Sequence, residues 1–375
     1  MDFCQFPSQG SNLGYLNPMT YKYSFTPEIV RHLQSIERAR TEVTLTVLPP
    51  AIAEGLRLRA RVRSTHFSTR IEGNRLTLAE AEQAVLEGKD FPGRERDTLE
   101  VQHYFKALAQ VEAWVEENKP ITEERIRQLH ALVYTGRGRR PTPYRDGQNV
   151  IKDSGGGIVY LPPEAADVPD LMRELTTWIQ TSEGNQPVPV IAGIAHYQFV
   201  VIHPYFDGNG RTARALATWI LYRGGYDLGR FYALEEFYAQ DLQGYYDALV
   251  TSPNQNYYFG TAEADITPWL NYFLKGMAAV FESVAREIRQ QSLHPDEKAE
   301  RLLRKLDRRA RIVLGLFSRQ EEITSNDVAR VLGLSARQAR EVLNEWLEAG
   351  WLEVSDGARK TRRYRLSAEY RRFIG

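Results

Sequence analysis

Cysteine is almost absent from this chain: Cys4 is the only one in 375 residues. A single thiol excludes an internal disulfide framework and any cysteine-rich metal site. It lies in the polar, Gly- and Pro-bearing stretch 1–25, which reads as an extended arm and gives a thiol no catalytic setting. Long apolar runs are missing too. No segment approaches the ~18 residues needed to cross a bilayer, and the N-terminus lacks the basic-then-apolar pattern of an export signal. The expectation is a cytoplasmic protein with no membrane association. Net charge is also missing, with 48 Lys+Arg against 48 Asp+Glu. The balance hides an asymmetry, because residues 301–375 hold 17 basic and 10 acidic residues. That surplus of seven is offset by an equal deficit over residues 1–300. Apolar content of 42% and charged content of 26% describe an ordinary globular protein long enough for two or three domains.

What is present is concentrated in twelve residues, His203-Pro204-Tyr205-Phe206-Asp207-Gly208-Asn209-Gly210-Arg211-Thr212-Ala213-Arg214. The run before them, 190–202, is apolar with small residues interspersed and reads as a buried helix. The run after them, 212–222, places Leu216, Trp219, Ile220 and Leu221 at helical spacing before Gly224-Gly225. The polar dozen is therefore a loop entering a helix N-terminus, where unpaired amides and the helix dipole favour an anion. Glycines 208 and 210 let the backbone approach a ligand and permit positive φ, making a nest for phosphate oxygens. Arg211 and Arg214, three apart, can lean toward one anion. Asp207 is a hard oxygen ligand suited to Mg²⁺ beside phosphate. His203 is the group there able to accept a proton near neutral pH. These parts together point to phosphoryl or nucleotidyl transfer.

The rest of the chain reads as mostly helical. Thr26-Pro27 starts a helix to about Leu48, which Pro49-Pro50 breaks. A second helix runs from Ala51 to about Ile71 and ends at Glu72-Gly73-Asn74, and it places Ser68 and Glu72 on one face. Thr77 to Glu80 is a capping box opening a third helix, closed by Gly88. Helices follow at 96–116, 123–135 and 168–179. Between the last two, Val150-Ile151 and Ile158 to Leu161 flank Gly155-Gly156-Gly157 as a hairpin. His196, inside the buried helix, reads as a core residue. The segment 231–249 is rich in aromatics. A long helix starts at Thr267-Pro268, and Gln290 to Glu297 is the best linker. Beyond it, helices at 312–317, 325–332 (capped by Ser325) and 337–349 follow. A turn at Gly333 to Ser335 and strands around Val354 and Tyr364 about an Asp356-Gly357 turn complete a winged helix-turn-helix pattern. Its third helix exposes Arg337, Gln338, Arg340 and Asn344, and its wing carries Arg359, Lys360, Arg362 and Arg363. Such a module serves either DNA contact or protein docking and dimerisation.

The dozen resembles the Fic family signature, His-x-Phe-x-Asp/Glu-Gly-Asn-Gly-Arg-x-x-Arg, with Tyr205 where the family usually has Phe. That position is ring packing, so the extra hydroxyl is expected to find a partner. Ser68-Thr69-Arg70-Ile71-Glu72-Gly73-Asn74 resembles the family's self-inhibitory helix motif, which pairs Glu72 with Arg214. Tyr245-Tyr246 is similar to the paired tyrosines that border the adenine pocket. The resemblance covers residues 26–290. It implies a Fic-type helical core with a hairpin flap, divided as 1–95 (inhibitory helix), 96–290 (catalytic core), 291–304 (linker) and 305–375 (winged helix-turn-helix). It implies transfer of AMP from ATP, with Mg²⁺, to a Ser, Thr or Tyr hydroxyl of a protein that docks at residues 144–163, with self-modification as a variant. His203 would be the base and Asp207 the metal ligand. Gly208, Asn209, Gly210, Arg211, Thr212, Ala213 and Arg214 would hold phosphate, Tyr246 would border the base, and Ser68 and Glu72 would inhibit. Two other readings stay open: transfer of another phosphate-containing group, and a nucleotide-sensing regulator that binds DNA through residues 305–375.

Overall fold

A computed structural model describes residues 21–46, 48, 50–152, 155–293, 306–314, 316–317, 320–332, 334–356 and 362–371. Residues 1–20, Pro49, residues 294–304 of the expected linker, Gly333, and Gly357, Arg359 and Lys360 of the expected wing lie outside the described residues. The fold is mostly helical. In chain order the larger body contains α1 (Pro27–Leu45), α2 (Pro50–Ile71), α3 (Leu78–Leu86), α4 (Glu95–Glu116) and α5 (Glu123–Thr135). After a two-stranded hairpin, β1 (Ile151–Lys152) and β2 (Ile158–Tyr160), come α6 (Val168–Ser182), α7 (Val188–Ile202), α8 (Asn209–Arg223), α9 (Leu234–Gln240), α10 (Leu242–Leu249) and α11 (Thr267–Leu293).

Local chemistry sets several of these limits. Thr26 caps α1 by accepting from the Ile29 amide, with Pro27 in the first turn. Thr77 and Glu80 form the complete capping box of α3, which satisfies two amides that the helix itself cannot. Gly136, at φ 68°, closes α5.

The centre of the body is α7, and its sequence explains why. It is apolar all round, and almost every residue from Pro189 to Ile202 is buried, the pattern of a helix enclosed by others rather than lying on a surface. It is flanked by α8, α6 and α11. The approach of α11 depends on Gly193. A Cβ there would lie 3.0 Å from both Leu270 and Phe273 side chains, and the Gly193 carbonyl accepts from Trp269 Nε1 at 2.8 Å. Ile29, Ile36 and Val43 of α1 and Ile71 of α2 belong to the same apolar cluster as α7, α8 and α11. The N-terminal helices are thus built into the core, and α2 is held in place beside the signature.

The hairpin is supported as well. Beyond β2, Leu161 pairs with the 255–257 segment through Leu161 N to Gln255 O and Tyr257 N to Leu161 O, both 3.0 Å. Tyr160 donates to the Val201 carbonyl at 2.9 Å. The strand left at the free edge is β1.

The C-terminal unit has its own apolar core, including Val313, Ile323, Val328, Leu343, Trp346, Trp351 and Tyr364. It comprises α12 (Arg308–Leu314), β3 (Ile323–Thr324), α13 (Ser325–Leu332), α14 (Ala336–Glu348), β4 (Leu352–Asp356), β5 (Arg363–Leu366) and α15 (Ala368–Arg371), with strand order β3-β5-β4. Three details differ from the sequence reading. Helix α11 runs three residues past Gln290. The first helix of the unit starts at Arg308 rather than Ile312. The cap of α13 is Thr324, whose amide and hydroxyl both donate to Asp327. Gln338 is exposed on α14 as expected, and its side chain completes the Ser335 capping box.

Candidate functional site

The site is a loop held between three fixed points. His203 ends α7 in the left-handed region (φ 52°, ψ 57°), an uncommon conformation for a side chain with a Cβ. What holds it there is Arg145, an otherwise buried residue just before the hairpin. Its Nε donates to His203 O at 3.0 Å, its Nη1 to Gly147 O at 3.0 Å, and its Nη2 to Pro163 O, while its amide donates to Pro204 O. One guanidinium thus rivets the signature loop to both ends of the hairpin. Asn209 fixes the middle of the loop, accepting from Tyr205 N at 3.0 Å and donating to Tyr205 O at 2.7 Å. The third point is His130 of α5. Its ring stacks on Tyr205 with centroids 3.5 Å apart, and its Nε2–H donates to Asp207 O at 2.9 Å. Burial pushes the His130 pKa down to about 4, so it serves as a neutral donor.

The His203 imidazole is placed for proton acceptance. Nδ1–H donates to the Val200 carbonyl at 3.3 Å, which leaves the Nε2 lone pair for a ligand. Burial lowers its pKa to about 4 against the opposing pull of that carbonyl, so the ring is in its neutral, unprotonated form at physiological pH. Gly208 caps α8 at φ 79°. Its amide donates to Asp207 Oδ1 at 2.5 Å. The Thr212 amide bonds back to Gly208 O at 2.9 Å, and Ala213 is a turn deeper in the helix. Thr212 and Ala213 therefore build the helix and do not offer amides to a ligand. Those of Asn209, Gly210 and Arg211, in the first turn, are the ones without an intrahelical carbonyl.

The geometry adds two details to the sequence analysis. Gly210 is helical, not left-handed. Its need is proximity: a Cβ would lie 2.3 Å from Glu72 Oε1 and 3.2 Å from Arg214 Nη1. Arg211 and Arg214 also do not share one acceptor. Arg211 turns to Asp207 Oδ1 at 3.0 Å and Glu100 Oε1 at 3.7 Å. Glu100 in turn accepts from Arg96 at 2.9 Å and from Asn74 at 3.2 Å.

Arg214 turns the other way, into α2. Its Nε donates to Ser68 Oγ at 2.9 Å, and its Nη2 to Ser68 O and to Glu72 Oε1, both at 2.8 Å. The guanidinium is almost wholly buried while the Glu72 side chain keeps 32% exposure. The expected pair between segments 142 residues apart is thus formed. The Glu72 carboxylate rests over the first turn of α8, beside Gly210 and against Arg214. A negative group occupies the spot that the backbone and the arginine prepare for an anion.

Around this point opens a cavity of about 630 Å³, lined by His203, Gly210, Arg214 and Glu72 on one side and by Ile151, Tyr160, Tyr245 and Tyr246 on others. Tyr246 is half exposed, and its hydroxyl reaches Ile71 O at 3.4 Å. Tyr245 is buried and meets His196 Nε2 at 2.9 Å, which accounts for His196 as a core residue. Asp207 keeps half its side chain exposed, and among the described residues Oδ2 is engaged only by Arg96, at 3.8 Å. No cluster of three or more His, Cys, Asp or Glu occurs among the described residues. A divalent cation would find one carboxylate here and would need the ligand's own oxygens. Sequence reasoning missed Arg145, His130 and Glu100, which act through the fold and carry no motif.

Residues 120–221 match the model of the Fic/DOC family, and the chain carries a domain of that family. It is similar to the protein adenylyltransferase Fic of Drosophila grimshawi, 29% identical over 205 residues, which are 52% of this chain and 40% of that protein. The same protein of Drosophila mojavensis is 28% identical over 201 residues, covering 52% and 38%. The matches therefore span less than half the length of these relatives. Among solved structures, a Fic family protein from Desulfovibrio desulfuricans G20 is 27% identical, with a TM-score of 0.58 over 93% of this chain and 98% of that one. Fic-1 from C. elegans, at 21% identity and a TM-score of 0.54 over 72% and 74%, shares the fold.

Tyr205 departs from the expectation that its hydroxyl is satisfied. The ring is 2% exposed and its oxygen has no hydrogen-bond partner among the described residues. Stranding a hydroxyl costs about 1–3 kcal/mol. Tyr205→Phe should therefore raise the melting temperature, and calorimetry of the two proteins checks it; a lower value would mean the hydroxyl is satisfied.

Proposed function

We propose that this chain is a protein adenylyltransferase that is restrained by its own Glu72. The observation that carries the reading is the carboxylate seated in an anion site, against a buried arginine and over a helix N-terminus. In this reading ATP lies in the cavity with its base bordered by Tyr246 and its γ-phosphate on Arg214. The first-turn amides of α8 and Arg211 receive the remaining phosphate oxygens. Asp207 fits Mg²⁺ as its one protein ligand, and the ion, when bound, would neutralise charge on the polyphosphate.

A Ser, Thr or Tyr hydroxyl of a target protein enters beside His203. Its oxygen forms a bond to the α-phosphorus, the bond from that phosphorus to the bridging oxygen breaks, and pyrophosphate leaves. The hydroxyl proton passes to His203 Nε2. Catalysis is then mostly alignment and fixed positive charge. The target docks at residues 144–163, where β1 supplies a free strand edge for β-augmentation. While Glu72 holds Arg214, a triphosphate meets a negative charge and lacks its terminal grip, and the α-phosphorus stays out of line. Transfer of another phosphate-containing group would need the same His203 and anion nest but not Tyr246.

The C-terminal unit, three helices followed by the β4–β5 hairpin, reads as a winged helix-turn-helix. On α14 Arg337 is paired with Glu341 at 3.1 Å, and Glu345 and Glu348 share the exposed face. That mixture favours a protein partner over a DNA backbone.

Intact mass after incubation with ATP and Mg²⁺ tests the reaction. Glu72→Gly should gain one AMP adduct on itself or an added protein and exceed the wild-type rate. Adding His203→Ala should reduce transfer by ~10²–10⁴-fold. An adduct of another mass would replace AMP, and transfer surviving loss of His203 would remove it as base.

The pH profile is a second test. Because burial holds His203 near 4, its basic form persists as pH falls through 6.5 toward that value. In Glu72→Gly, kcat/KM at pH 6 should match that at pH 7.5. An imidazole with an ordinary pKa would lose about three quarters of its basic form over that interval, and a loss of that size would contradict the assignment.

A further inference from the structure

The basic, turn-rich stretch between α5 and the hairpin has no part in the reaction described above. From Arg125 to Arg145 the chain holds six arginines and no aspartate or glutamate. Three of them serve the fold. Arg125 and Arg127 donate to the carbonyls of Pro120 and Thr142, at 3.0 and 2.9 Å, and Arg145 holds the signature loop. The other three, Arg137, Arg139 and Arg140, are exposed, and among the described residues their guanidinium groups pair with no acid. Arg96, Arg211 and Arg214, by contrast, each meet a carboxylate.

Both ends of the stretch are fastened to the signature loop. At its start Tyr134 stacks on His130, with centroids 5.7 Å apart, and His130 in turn bonds the Asp207 carbonyl. At its end the Arg145 amide donates to Pro204 O at 3.0 Å. The three unpaired arginines thus sit on a loop pinned near Asp207 and at Pro204, directly before β1. Two large rings are exposed at the same place. Tyr134 is 50% exposed. Phe206, 59% exposed, reaches from the signature loop over Gly147, where a Cβ would stand 3.7 Å from its ring. Exposed aromatic rings beside arginines have the composition of a protein–protein contact.

Unpaired charges of one sign are complementary to a partner of the other sign. A single-stranded nucleic acid could also use rings and arginines together. Its charge, however, continues along its whole length, and residues 1–300 carry seven more acids than bases. Beyond the patch it would run onto a net acidic body. A short acidic segment of a protein ends where the patch ends, and a protein is what must reach His203.

We propose that Arg137, Arg139 and Arg140, with Tyr134 and Phe206, form a docking surface for an acidic segment of the target protein, close to the hydroxyl that is modified. The inference rests on the reading of this chain as a protein adenylyltransferase and names the chemistry of its substrate. The hairpin edge would hold a target by its backbone, which carries little sequence information. The arginines supply selection by charge. In the proposed reaction none of the three contacts nucleotide, so their effect falls on the protein substrate.

The test measures binding and not transfer. Full-length Glu72→Gly protein is titrated by fluorescence anisotropy with labelled probes. These are a short peptide of Glu, Asp, Ser, Tyr and Leu, the same peptide with Gln and Asn in place of the acids, and a single-stranded DNA oligonucleotide of equal charge. The acidic peptide should bind about tenfold or more tightly than its amide form at low salt, and the gap should narrow as salt is raised. Arg137→Glu, Arg139→Glu and Arg140→Glu combined should remove that preference while affinity for ATP–Mg²⁺ stays within about twofold, since rim charges act on the partner they face. Phe206→Ala should weaken both peptides severalfold. Equal binding of the acidic and amide peptides would overturn the assignment. So would acidic-peptide binding that survives the charge reversal, which would place the contact on the basic C-terminal unit. Tighter binding of the oligonucleotide, lost in the same variant, would replace the protein partner by a nucleic acid. A Glu72→Gly protein that forms no AMP adduct would remove the adenylyltransferase reading, and the peptide titration would still decide whether the surface selects acidic chains.

Discussion

A buried guanidinium must have negative charge beside it, and much of this structure is arranged around meeting that demand for Arg214. The side chain is 1% exposed and contacts α2 through Ser68 and Glu72. Removing one partner of such a pair generally costs about 3–5 kcal/mol, largely because the other charge is left stranded. The pair is therefore a poor source of net stability and, in the function proposed, a switch. Any anion able to replace the carboxylate can take over its contacts. The same α2 is fastened elsewhere by ion pairs from Arg61 to Glu112 and from Arg63 to Glu236, so the helix that presents Glu72 is a fixed support.

The signature loop rests on a comparable principle. Its backbone polar groups, which cannot join regular structure, are satisfied by side chains chosen for the purpose. Arg145 serves His203 and Pro204, Asn209 serves Tyr205, and His130 serves Asp207. Each is buried and each fixes a different point of the loop. His203, left-handed at the end of α7, lines the same cavity as Gly210 of the first turn of α8. Positioning of this kind is what a reaction driven by alignment and charge requires. The hairpin joins the same framework, because Arg145 binds both of its ends. A peptide added to β1 would thus be held in register with the imidazole.

Much of this was legible beforehand. The helices α1 to α8 follow caps and apolar periodicity closely, because Thr26, Thr77 and Gly136 act locally and α7 is apolar on every face. The Glu72–Arg214 pair was implied by the resemblance of two short motifs to those of the Fic family, and the residues do meet in space. The parts that were not legible depend on distant neighbours. Nothing in the local pattern around His130 or Glu100 shows that one backs the loop and the other braces Arg211. Gly210 does not use the positive φ that glycine permits; its missing Cβ answers a close approach by Glu72, which no local pattern shows. The separate directions of Arg211 and Arg214 depend on which acids α4 and α2 bring near. Strand β3 is two residues long and exists through its pairing with β5, below the reach of any alternation pattern.

The claim at the centre of this account is that Glu72 occupies a site built for phosphate. Thermal unfolding of wild type and Glu72→Gly, each with and without saturating ATP and Mg²⁺, measures it most directly. A ligand that binds only the folded state raises the melting temperature in step with its affinity. The account predicts a lower melting temperature for Glu72→Gly alone and a larger rise on adding ATP than in wild type. An equal or smaller rise in Glu72→Gly would show that the carboxylate and the triphosphate do not compete, and would contradict the account.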